Sequence, residues 1–233
     1  MIGRLSNEGR AMPTQPGLFA TLYTARALRR FKTDPVPDDV LFQLIDAAIR
    51  APSGQNAQDW RFLIVRDREV LAAMQRWSQE PWLRYQARYA DDPSAIDRLP
   101  RSQRLSLRSV EHLVHHLAEC PVAIIVLGLK GRHGTPGGSA FPAVQNLLLT
   151  ARALGLGGSV FNFPMSHEAE LREKLAIPDN NQIYCVLPIG YPLDRHGPLG
   201  RKPVKDVAFD GKFGQRWAFA EAQPNEGWQA RWL

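Results

Sequence analysis

The pattern of apolar and polar positions divides most of the chain into helices that alternate with short strands. Leu18 to Phe31 (LFATLYTARALRRF) has helical composition and ends before the turn Thr33-Asp34-Pro35. Val40, Leu41, Leu44, Ile45 and Ala48 recur at helical spacing behind Asp38, a candidate N-cap. That helix is expected to stop near Ala51, because Pro52 lacks an amide hydrogen and disfavours helix in the residue before it. Trp60, Phe62 and Ile64 alternate with Arg61, Leu63 and Val65, the pattern of a mostly buried strand. Two or more helices fill Asp67–Glu119, interrupted near Asp91-Asp92-Pro93, and the last carries an apolar stripe of Leu107, Val110, Val114 and Leu117. Val122–Leu127 reads as a second strand, Gly131–Ser139 as a Gly-rich loop and Phe141–Leu154 as a third strong helix. Gly158–Phe163 reads as a short strand and Gln182–Ile189 as the final one. Between them lies a helix, Ser166–Leu175, capped by Ser166 and with Glu168 and Glu170 in its first turn. Helices that separate single strands throughout predict an α+β chain, a mixed sheet with helices on its faces.

Length adds the domain count. The 233 residues correspond to one domain with appendages. Residues 1–16 are polar with two prolines and read as a flexible arm, 17–214 as the domain, and 215–233 as an extension that contacts a partner. Beyond Tyr191 the chain is rich in Pro, Gly and basic residues, yet it carries Val207, Phe209, Phe213 and Trp217. On a monomer these would expose apolar surface, and a second subunit is the simplest cover. A hydrophobic fraction of 44% with 22% charged residues excludes collagen-like and disordered chains. No apolar run reaches the roughly 18 to 20 residues of a membrane span, and the N-terminus lacks the apolar region of a secretory signal. A cytoplasmic chain without membrane contact is expected. Cys120 and Cys185 each adjoin an apolar strand and read as buried free thiols.

The net charge of +6 invites a nucleic-acid reading, but the charge lies in separate places. Arg26, Arg29, Arg30 and Lys32 form one group, Arg98, Arg101, Arg104 and Arg108 another, and Arg201, Lys202 and Lys205 a third. Small clusters suit a phosphorylated cofactor, and no helix-turn-helix, zinc-finger or RNA-recognition signature accompanies them. There is also no Gly-x-Gly-x-x-Gly after a strand and no P-loop motif.

Four segments could carry chemistry. Arg26-Ala27-Leu28-Arg29-Arg30-Phe31 can bind phosphate in a fork or set a fixed charge beside a ring that gains electrons. Ala51-Pro52-Ser53-Gly54-Gln55-Asn56-Ala57-Gln58-Asp59-Trp60 allows close backbone approach, with Asn56 and Gln58 offering amides to polar ring edges. The third runs from Leu154 through Asn162 and Phe163 to Pro164, and the fourth is Gly200-Arg201-Lys202-Pro203-Val204. Taken singly, each also suits an ordinary turn or basic loop. In this order they resemble the FMN-dependent nitroreductase family, over roughly residues 18 to 214. The family's typical motifs are Arg-Arg-Ser-x-Arg, Ala-Pro-Ser-x-x-Asn-x-Gln-Pro-Trp and Arg-x-Pro. Here Ala25 and Ala27 stand where Arg and Ser are usual, and Asp59 replaces the Pro before Trp60.

The resemblance implies a nitroreductase-like three-layer fold and an intertwined homodimer with FMN at each of two interface sites. It implies that Arg29 faces the flavin N1/C2 carbonyl, while Arg26, beside Ala27, lies by the phosphate and ribityl chain. Pro52, Ser53, Gly54 and Asn56 would hold the flavin from the neighbouring subunit. Asn162 and Phe163 would flank N5 through backbone groups, and Arg201 would grip the phosphate. NADPH or NADH would pass hydride to N5 and leave, and a nitroaromatic or quinone-like acceptor would follow. No catalytic side chain is implied, only alignment and charge. Deiodinase-like and flavin-consuming activities belong to the same resemblance.

Other readings compete with it. A basic dimer could store flavin without turnover. The arginines at 98, 101, 104 and 108 could recognise the extra phosphate of NADPH, although such a run is usually a solvated face. His112 and His116 share a helix face with Cys120 four further on, which invites a metal, but Glu111 precedes the first histidine, so the metalloprotease motif is not present. Solvated histidines flanking an apolar stripe are the simpler reading.

Overall fold

The computed structural model describes residues 16–223 except 90, 91, 93 and 132–136. Nearly all of the expected N-terminal arm, residues 224–233 of the extension and most of the Gly131–Ser139 loop lie outside the described residues. The helices are α1 (Leu18–Thr24), α2 (Asp38–Ala48), α3 (Arg68–Gln86), α4 (Ser94–Arg98), α5 (Arg101–His116), α6 (Ala140–Ala153), α7 (Glu168–Lys174) and α8 (Ala218–Glu221). The strands are β1 (Arg61–Val65), β2 (Val122–Leu129), β3 (Gly157–Gly158) and β4 (Asn181–Gly190), in sheet order β1-β2-β4-β3. Their pairings are all antiparallel. The mixed character of the sheet rests on a single parallel bridge, Ala27 to Gly158.

Strand β2 sets the layers. Val122, Ile124 and Val126 enter one core with Leu41, Leu44, Val144 and Leu147 of α2 and α6. Ala123, Ile125 and Leu127 enter the other with Leu71, Met74, Leu113 and Val114 of α3 and α5. This period of two buries both faces and explains why β2 is continuously apolar. Between Val126 and Leu127 the register slips, because β4 carries an extra residue there: Val126 pairs with Cys185 and Leu127 with Ile183. The two thiols are free and buried, Cys185 in the α2–α6 core and Cys120 in the α3–α5 core. Burial pushes each up to about 12.

Several local expectations are corrected. The first helix ends at Thr24 rather than Phe31, and Ala25 is already extended. Thr21, Thr24 and Leu28 are all buried, so a helical spacing of buried positions continues while the backbone does not. The second helix begins at Asp38 with Pro37 as its cap residue, and the Asp38 carboxylate pairs with Arg66 instead of capping. The strand expected over Gly158–Phe163 shrinks to Gly157–Gly158 and is followed by a 3₁₀ turn over Phe163–His167. Ser166 does not cap α7. Its hydroxyl faces the carbonyls of Trp77 and Phe163 at 3.1 and 3.0 Å. No described helix is long and apolar enough to cross a membrane.

Candidate functional site

Residues 27–32 run extended along β3 and the chain that leaves β4. Leu28 N donates to Gly158 O at 3.3 Å, Lys32 N to Tyr191 O at 2.8 Å, and Leu193 N to Arg30 O at 2.9 Å. Leu28 is buried while Arg26 and Ala27 are exposed, so this segment presents the arginines beside β3. Gly157 permits the approach, since a Cβ there would lie 2.9 Å from Leu28 Cβ, and Gly158 beside it is packed as tightly from the sheet and α6. A Cβ at Gly158 would lie 2.4 Å from Ile189 Cδ1 and 3.1 Å from Leu148 Cδ2.

Against this segment lies a cavity of about 860 Å³, walled by α1, α6, residues 158–160, the arm 199–205 and α8. Arg26, Arg201, Lys202 and Lys205 line it, and no lining residue is acidic. None of the four makes an ion pair among the described residues, and Arg201 only donates to its neighbour Gly200 O at 2.9 Å. Phe19, Leu148, Trp217 and Phe219 supply apolar walls. Ser159 also lines the cavity, and its buried hydroxyl has no hydrogen-bond partner among the described residues. Cations that converge in a concave, partly apolar site without carboxylates suit an anionic group attached to an apolar body.

Arg29 lies outside the cavity wall but follows Arg26 on the same extended segment. Its Nε is buried without a hydrogen-bond partner, and burial pulls its guanidinium below the usual range. A desolvated cation with an idle donor is costly unless something accepts from it. Nearby, His196 Nε2 donates to Leu156 O at 2.8 Å, and burial lowers its pKa, with the charges of Arg152 and Arg26 acting in the same direction.

Pro52, Ser53, Gly54 and Asn56 do not line the cavity. Their loop packs against the start of α6, where Gly54 N donates to Ser139 Oγ at 3.2 Å and Gln58 N to Ser53 Oγ at 3.1 Å. Gln55, Asn56 and Gln58 hold φ of 54°, 53° and 49°, left-handed values that cost non-glycine residues energy. The two amides expected to face a ligand hold each other instead, with Gln58 Nε2 donating to Asn56 Oδ1 at 3.1 Å.

Asn162 serves the sheet with its side chain. Its Nδ2 donates to Tyr184 O at 3.3 Å, and its Oδ1 accepts from Val186 N at 3.2 Å, which satisfies backbone groups at the β4 register slip. Phe163 packs edge-on to Trp82 at 6.0 Å. Neither lines the cavity, so of the sequence-derived residues it gathers Arg26, Ala27 and Arg201. The arginines at 98–108 fall on two helices, and two are engaged locally: Arg98 with Asp92 and Ser94, and Arg104 with the carbonyls of Asp97 and Leu99. His112 and His116 stack at 4.1 Å, but the Cys120 thiol is turned into the sheet toward Val122 O and Ile189 O. No group of three or more metal-ligating side chains occurs among the described residues. Sequence reasoning missed Gln145 and Phe219 as lining residues, held Ser159 only within the third segment and read Trp217 only as apolar excess; no pattern in the sequence marks Gln145.

The chain is similar to several known proteins. An NADH dehydrogenase of Thermus thermophilus is 29% identical over 189 residues, covering 78% of this chain and 90% of the relative. An iodotyrosine deiodinase of Thermotoga neapolitana is 29% identical over 182 residues, with coverage of 78% and 90%. Among solved structures, an oxidised iodotyrosine deiodinase bound to FMN and 3-iodo-L-tyrosine superposes with a TM-score of 0.61 at 26% identity, covering 79% of this chain and 95% of that one. The nitroreductase family model matches residues 22–191, from the end of α1 through the exit of β4. The chain therefore belongs to the nitroreductase family.

Proposed function

We propose that this chain is an oxidoreductase that binds FMN, takes electrons from NADH or NADPH and passes them to a small aromatic acceptor. The observation that carries the reading is the cavity where four cations meet without a carboxylate, close in sequence to a half-buried Arg29 whose Nε has no hydrogen-bond partner among the described residues. The residues present fit a flavin phosphate and ring. Arg26 and Arg201 would hold the phosphate, and Ala27 leaves the backbone open to close approach. Arg29 would set a fixed positive charge at the pyrimidine edge of the ring. Asn162, whose side chain is committed to β4, would offer only its backbone, as would Phe163. Bound FMN supplies the hydride chemistry, and the protein aligns reactants and excludes water.

The working unit in this reading is a homodimer with one FMN at each of two interface sites. Two observations support it. Pro52, Ser53, Gly54 and Asn56 lie off the cavity, on a loop where Pro52, Gly54 and Asn56 are exposed to a partner's flavin. Val207, Phe213 and Trp217 are exposed on the single chain. Residues 17–214 form the flavin-binding domain and 215–233 contact the partner. A second reading, reductive deiodination of iodotyrosine, is supported by a relative as similar as the dehydrogenase.

One experiment tests both. The visible spectrum of the purified protein is followed anaerobically during addition of NADH or NADPH, then of a nitroaromatic or 3-iodo-L-tyrosine. The expected result is a flavin spectrum that bleaches and returns with the nitroaromatic. Return with iodide release would select the deiodinase reading. A protein that stays colourless after incubation with FMN would refute both.

A further inference from the structure

After β4 the chain returns as an arm, and little fastens it to the domain. Leu193 N donates to Arg30 O at 2.9 Å, and the Asp194 carboxylate pairs with Arg30 at 3.9 Å. Beyond them, among the described residues, one side chain alone joins residues 195–205 by hydrogen bonding to any residue before 193. It is His196, whose Nε2 donates to Leu156 O at 2.8 Å. The arm that hangs from it carries Leu199 and residues 201–205 into the cavity wall. We propose that the uncharged His196 ring is the latch that docks this arm, and that protonating the ring releases the arm and takes one wall from the cavity. The latch goes beyond the flavin reading and stands or falls without it.

The tautomer follows from the partner. A carbonyl only accepts, so Nε2 carries the hydrogen and the neutral ring keeps its lone pair on Nδ1. That Nδ1 is buried and has no hydrogen-bond partner among the described residues. A proton added there would create a cation facing two others, Arg26 from the segment after α1 and Arg152 from α6. Arg152 is itself held in place, its Nε donating to Thr24 Oγ1 at 2.8 Å. None of the groups that act most strongly on the ring is a carboxylate. Burial is the largest cause that holds the imidazole below its ordinary pKa, and Arg152 and Arg26 add to it, against the carbonyls of Leu156 and Thr24, which favour the charge. A released ring in water takes its proton at about 6.5. Docking is therefore complete well above that value and weakens as the pH falls below it, by at most about tenfold per pH unit for a single proton.

The test is backbone nitrogen relaxation of residues 197–202 in the full chain, measured about one pH unit above and one below the ordinary imidazole value. The His196 ring protons are followed over the same range. The wild type is compared with His196→Gln, whose amide can still donate to Leu156 O but takes up no proton, and with His196→Ala. We expect the wild-type arm to be ordered at the higher pH, with order parameters of about 0.85, and mobile at the lower, below about 0.6. The midpoint should coincide with the titration of the His196 ring. His196→Gln should keep the arm ordered at both values, and His196→Ala should leave it mobile at both. A wild-type arm equally ordered at both values, or a His196→Ala arm as ordered as the wild type at the higher one, would overturn the latch. So would a His196→Gln arm that loosens with acid as the wild type does, because the proton would then sit on another group. Each of these results leaves the flavin reading untouched.

Discussion

Gln55, Asn56 and Gln58 place three left-handed, non-glycine residues within four positions of one loop. Such a conformation costs roughly 1–2 kcal/mol at a residue with a Cβ, and Gln55 is exposed and makes no side-chain hydrogen bond among the described residues that would offset it. Gln55→Gly is therefore expected to leave the melting temperature unchanged or raise it, and Gln55→Val to lower stability by about 1–2 kcal/mol. Thermal unfolding of the two variants checks the contrast. A loop that keeps this strain is a loop whose shape matters more than its stability. At this scale the sequence showed which residue types gather, but not how their polar groups are spent. Asn56 and Gln58 pair with each other, and Asn162 closes a sheet irregularity, because the nearest unsatisfied partner captures a side-chain amide first. Arg29 is the contrary case, its buried Nε having no hydrogen-bond partner among the described residues.

The elements with sustained periodicity, α2, α5, α6, β2 and β4, stood where the apolar pattern put them. The failures cluster at α1 and β3, where two segments come together. Thr21, Thr24 and Leu28 keep helical spacing across the point where the helix stops, since the extended segment buries Leu28 against Gly157 just as a further helical turn would have buried it elsewhere. A one-chain periodicity cannot distinguish these outcomes, because a cross-strand partner decides between them. Caps failed for a related reason. Asp38 was drawn to Arg66 and Ser166 to the carbonyl of Trp77, contacts that are remote in sequence. The junction itself is testable. Gly158→Ala would drive a methyl into Ile189 and Leu148, and overpacking of this kind costs about 1–3 kcal/mol. Denaturant unfolding should show that loss, and the FMN binding proposed above should weaken with it, because the same residue lines the cavity.

Across the whole molecule, two cores flank one sheet, and the surface left over is apolar where the chain returns after β4. Phe213 is 94% exposed, and Val207 and Trp217 are exposed as well. Phe213→Asp should leave the unfolding of the single chain nearly unchanged, since that side chain buries so little. For the homodimer proposed above, sedimentation should nevertheless show the variant dissociating at concentrations where the wild type remains paired; a wild type that sediments as a monomer would overturn that proposal. The placement of the thiols has a separate consequence. One lies on each side of the sheet, in a different core, and neither is ionised near neutral pH. The folded protein is thus shielded from alkylation and adventitious oxidation. Its unfolding can be timed from within, because modification of Cys120 marks exposure of the α3–α5 layer and modification of Cys185 marks exposure of the α2–α6 layer. Two natural labels, one per layer, let the order in which the layers separate be read without adding a probe.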